Sequence, residues 1–61
     1  MLNLYGVDIV TKENGIFRET VVEENAKEAR REALRLYHLC VAESENSKVI
    51  GTISYVISYD I

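Results

Sequence analysis

Residues 49–61 read VIGTISYVISYDI, a run in which Asp60 is the one charged position. β-Branched and aromatic side chains dominate it, and these suit a pleated, half-buried strand. At a period of two, Val49, Ile53, Tyr55, Ile57, Tyr59 and Ile61 share one face, interrupted by Gly51. The opposite face carries Ile50, Thr52, Ser54, Val56, Ser58 and Asp60, mostly small or polar. One apolar face and one hydroxyl-lined face predict a long strand of a sheet covered on one side.

Upstream of this run, Ser44-Glu45-Asn46-Ser47 is a polar turn. Leu39 to Glu43 is open to two readings, as the end of a helix or as a short strand. The helix itself starts cleanly. Asn25 is a good N-cap, and Glu28 three residues later suits a capping-box exchange. Glu23 and Glu24 favour the positive end of the helix dipole, and Arg35 and His38 its negative end. Steps of 100° place Ala26, Ala29, Ala33, Leu34, Leu36, Tyr37 and Cys40 on one broad arc. The alanines imply close approach to a sheet. Arg30 falls inside the arc, so its stem is expected along apolar surface with its head in water.

The first part of the chain reads as a hairpin. Leu2 to Thr11 is a strand, Asn14-Gly15 is a strong turn signal, and Ile16 to Val22 is the return strand. A two-residue turn pairs Val7 with Val22. A three-residue turn, Glu13-Asn14-Gly15, pairs Val7 with Val21 and Thr11 with Phe17. The second is preferred because it gathers Tyr5, Val7, Ile9, Phe17 and Val21 on one face. The expected fold is α+β, a two-layer sandwich of an antiparallel sheet and one helix over residues 1–61. Its favoured order is ββαβ with the helix running a little past residue 39; ββαββ is the alternative.

Sixty-one residues bury a modest core, and such chains usually add disulfides, a metal or self-association. Cys40 is the single cysteine and His38 the single histidine, so an internal disulfide and a zinc cluster are both excluded. Self-association is the remaining route, with a homodimer as first choice. A net charge of −3 argues against general nucleic-acid affinity. No apolar run is long enough to span a membrane, and Met1-Leu2-Asn3-Leu4 does not resemble a signal peptide, so a cytoplasmic protein is expected.

Chemistry is sparse. On a helix, His38 and Cys40 point about 200° apart and form no dyad, so Cys40 is read as a small core hydrophobe. No phosphate loop, metal spacing, catalytic carboxylate pair or nucleophile elbow occurs, so no catalytic, cofactor or metal residue is expected. Lys27, Arg31, Arg35 and His38 form a basic stripe that could meet phosphates. Glu28 and Glu32 lie at ion-pairing distance along it, which favours a solvated face. Asp8, Glu19 and Glu23 could cluster as an acidic patch on the hairpin. Tyr55 and Tyr59, about 13 Å apart on one strand face, suit core or interface packing better than base stacking.

The segment Arg18-Glu19-Thr20-Val21-Val22-Glu23-Glu24-Asn25-Ala26-Lys27-Glu28-Ala29 resembles the strand-to-helix junction of short accessory proteins of phages and plasmids. Similar ββα beginnings occur in small HicB-like antitoxins, although the third strand those carry before the helix is absent here. The resemblance implies a mobile-element origin and carries over no functional residue.

Two functions follow as expectations. The first is a non-catalytic interaction protein that self-associates through strand edges or an exposed sheet face, with a host enzyme or defence complex as its inhibited partner. Val49, Ile53, Tyr55 and Ile57 are then expected against the helix. Tyr55, Ile57, Tyr59 and Ile61 are the candidate interface, with Tyr59 and Ile61 foremost because they lie beyond the helix. The second is a nucleic-acid-binding or antitoxin-like module using Lys27, Arg31 and Arg35.

Overall fold

The computed structural model describes residues 1–40 and 48–61. Their elements in chain order are β1 (Asn3–Thr11), β2 (Ile16–Glu23), α1 (Ala26–Cys40) and β3 (Val49–Ser58). The strands form an antiparallel sheet in the order β2-β1-β3, with the central strand contributed by the first element. This is an α+β fold with an open sheet. Leu39 and Cys40 are helical, and the rest of the 39–43 question lies outside the described residues.

The hairpin keeps the expected faces but not the expected register. Tyr5 pairs with Val21, Val7 with Glu19 and Ile9 with Phe17, two residues away from the preferred pairing. Thr11 is the reason. It is buried, its amide donates to the Gly15 carbonyl at 2.9 Å, and its hydroxyl donates to the same oxygen at 2.7 Å. The Asn14 amide donates to the Thr11 Oγ1 at 3.1 Å. One side chain thus closes a wider loop, and Gly15 takes the left-handed φ of 81° that the turn requires.

α1 starts as its sequence demands. The Asn25 Oδ1 accepts from the Glu28 amide at 2.9 Å, filling an otherwise orphaned donor of the first turn. Ala29, Ala33 and Tyr37 are buried against the sheet, with Leu34 and Leu36 packed partly against them. The Tyr37 ring meets Phe17 at 5.4 Å between centroids. Tyr5, Val7, Ile9 and Val21 complete the core. Val7 and Ile9 are fully enclosed, and each such side chain contributes about 1.5–3 kcal/mol by leaving water.

Two members of the expected helix arc are not in this core. Ala26 is exposed at the first turn, before the helix reaches the sheet. Cys40 is exposed at the last helical position, beyond Tyr37, where the core ends.

The larger correction concerns β3. Its partners on β1 put Val56 opposite Tyr5, Ser54 opposite Val7 and Thr52 opposite Ile9. Directly opposite residues share a face, so Thr52, Ser54 and Val56 lie on the helix side. Ile53 and Tyr55, expected beneath the helix, lie on the other side opposite Asp8 and Gly6. Two β-bulges frame this arrangement, one skipping Ile50 and one skipping Ile57. The first restores Val49 to the core side, opposite Thr11.

Thr52 and Ser54 lie beside the first turns of α1, where they line an open recess with Ala26, Lys27 and Arg30. The Tyr55 ring instead lies over Gly6, so closely that a Cβ at position 6 would stand 2.5 Å from its Cε2.

Candidate functional site

The side of the sheet away from α1 is lined by alternate residues of all three strands. Across its middle runs a polar belt. Arg18 and Asp8 are directly opposite on β2 and β1, and their side chains form a two-pronged ion pair. The Arg18 Nε donates to the Asp8 Oδ1 at 2.8 Å and the Nη2 to the Oδ2 at 3.3 Å. The Tyr55 phenol donates to the same Oδ1 at 3.3 Å, and the Arg18 guanidinium lies 5.6 Å from the Tyr55 ring centroid. Donation from Arg18 holds the Asp8 carboxyl below the usual carboxylate range.

On either side of this belt the face is apolar. Ile16 and Val10 pair at one end, with Ile53 beside them; Val22 and Leu4 pair at the other, next to Ile57. Ile16, Val22, Ile53 and Ile57 expose 65%, 44%, 59% and 49% of their surface. Large apolar side chains grouped on one uncovered face mark a contact surface more often than chance exposure does.

Of the candidate interface, Tyr55 is half-buried in the belt and Ile57 is an exposed bulge residue. Tyr59 and Ile61 are exposed, but they do not continue the strand. β3 ends at Ser58, and Asp60 adopts a left-handed φ of 55°. The Asp60 amide donates to the Asn3 Oδ1 and the Ile61 amide to the Leu2 carbonyl, both at 3.0 Å. The tail is therefore tied to the start of β1, and the six-residue apolar face expected along residues 49–61 is divided between two sides of the sheet and a kinked end.

The basic stripe lies on the exposed side of α1, with Lys27, Arg31 and Arg35 all in water. Arg31 pairs with Glu28 at 3.4 Å, and the Arg35 Nε donates to Glu32 at 2.8 Å. A shallow recess here is lined by Glu23, Glu28, Arg31, Glu32 and Arg35, a mixture of signs. His38 and Cys40 are both exposed. The acidic trio is split, since Asp8 occupies the uncovered face while Glu19 and Glu23 pair with Val7 and Asn3 on the helix side.

The Asp8–Arg18–Tyr55 belt was not anticipated. In the preferred hairpin register Asp8 would face Thr20, which hides the ion pair. The signal that finds it is the pairing of Asp8 with Arg18 once Thr11 is allowed to close the loop.

No helix among the described residues is long and apolar enough to cross a membrane. No protein-family model, curated protein or solved structure matches this chain.

Proposed function

We propose that this chain is a non-catalytic protein-interaction module that works as a self-associated unit on a two-layer ββαβ scaffold. The observation that carries the reading is the uncovered sheet face, where Ile16, Val22, Ile53 and Ile57 stay in water although the same strands bury their other side. A small domain with one helix can cover one face; the second gains stability from a partner. The resemblance of residues 18–29 to phage and plasmid accessory proteins extends the proposal to a second partner, a host enzyme or defence complex. The nucleic-acid reading has weaker support, because Glu28 and Glu32 already engage Arg31 and Arg35.

Sedimentation equilibrium at micromolar concentration tests self-association, with a mass above the 7.0 kDa of one chain as the expected result. A monomer at every concentration overturns it. For the second partner, the tagged protein should recover one stoichiometric companion from host lysate, and an empty pull-down argues against it.

A further inference from the structure

The two edges of the sheet differ in kind. β1 is central, so β2 and β3 each present an outer row of backbone donors and acceptors to which no described strand pairs. β2 carries Arg18, Glu19 and Glu23, the kind of charges that protect natural sheet edges. β3 has no charged residue and no proline from Val49 to Ser58. Its one large aromatic, Tyr55, leans inward over Gly6 and so away from that outer row.

Taking self-association as its premise, we propose that the outer edge of β3 is the self-association site and that β3 of a second copy occupies it, antiparallel, giving a six-stranded sheet. Charge selects this pairing over one between β3 and β2. Uncharged edge meets uncharged edge, and both charged β2 edges are left outside, where they stop further addition. A β3–β2 contact would instead leave a free edge on every copy and grow without closing. The polar belt selects it over stacking of the uncovered faces. Stacking would strip water from an Asp8–Arg18 pair in each copy, whereas edge pairing leaves both pairs solvated.

The geometry also sets the register. Residues directly opposite in antiparallel strands share a face, so the two-fold axis must pass through a residue and not between two. The regular stretch between the bulges is Gly51 to Val56. With Ser54 on the axis, Ile53 stands opposite Tyr55 of the second copy on the uncovered side, and the pairing occurs twice. The paired edge is about 20 Å long, which is short for an interface and fits a reversible dimer in the micromolar range. The apolar ends of the two uncovered faces then join into one platform.

Hydrogen exchange on the intact protein tests the assignment, with sedimentation locating the dissociation constant. β1 engages alternate amides of β3, so in a monomer the others between Gly51 and Val56 exchange freely. The expected result is protection of every amide in that stretch, lost on dilution below the dissociation constant. Ile53→Lys, at an exposed position of the uncovered side, sets a charge against Tyr55 of the second copy twice over and should weaken the dimer about five-fold or more while the circular dichroism of the monomer is retained. A dimer whose alternate β3 amides still exchange freely, or whose protection ignores dilution, overturns the edge assignment and leaves self-association standing. A monomer throughout overturns both.

Discussion

The two sides of this sheet are built from the same three strands, with residues alternating one position at a time, yet they have opposite fates. On one side Tyr5, Val7, Ile9 and Val21 are buried beneath Ala29, Ala33 and Tyr37. On the other, isoleucines and valines of the same type remain in water on either side of a charged pair. Composition does not separate them. What separates them is cover: a side chain becomes core when a helix with small residues can lie against it. Apolar patterning marks which residues can be buried, and the geometry of the covering element selects which are.

That contrast can be broken most severely from the covered side. Ile9→Ala should cost about 2–5 kcal/mol, a large part of the stability of a domain this size, and urea denaturation should show a largely unfolded population. The counterpart on the uncovered side is Gly6→Ala. Its methyl would meet the far end of the Tyr55 ring, so the ring should swing away and release Asp8, at a cost of about 1 kcal/mol. Adding Tyr55→Ser to Gly6→Ala should remove that cost, and a double-mutant cycle by denaturation measures the coupling.

The belt itself predicts a pH dependence of smaller size. Asp8 is held below its ordinary value of 3.8 by Arg18, so its contribution is fully present above that value and disappears as pH falls through its lower native value. Glu32, held below 4.5 by Arg35, acts in the same direction on the helix. Stability measured against pH should therefore decline below about 4.5, and Asp8→Asn should flatten the lower part of that decline. Smallest of all, Ile53→Thr on the uncovered side should change monomer stability by no more than about 0.5 kcal/mol, again by denaturation. A loss comparable with that of Ile9→Ala would show that the face is not open.

Much of the architecture was legible in the residues. The strands announced themselves by β-branched alternation, the hairpin by Asn14-Gly15, and the helix by Asn25 and its alanine arc, because each signal is local and within a few residues of its effect. The ion pairs of Arg31 with Glu28 and Arg35 with Glu32 follow from helical spacing for the same reason. The candidate surface was far less legible. Tyr55 and Ile57 are interface candidates from their apolar character alone, whereas the Asp8–Arg18–Tyr55 belt depends on two strand registers at once. One was displaced by the hydroxyl of Thr11, the other by bulges at Ile50 and Ile57.

The sequence alone determined what could be paired and what could be buried: three strand-forming runs, one capped helix, an uncharged C-terminal strand and no covalent staple. Backbone propensity and side-chain alternation act over a few residues, so these features survive any tertiary arrangement. The tertiary structure alone decided the rest. It chose which side of β3 meets the helix, because the pairing of Ser54 with Val7 and the seating of Tyr55 over Gly6 involve residues tens of positions apart. A bulge of one residue is enough to exchange the two faces, and no local pattern records it.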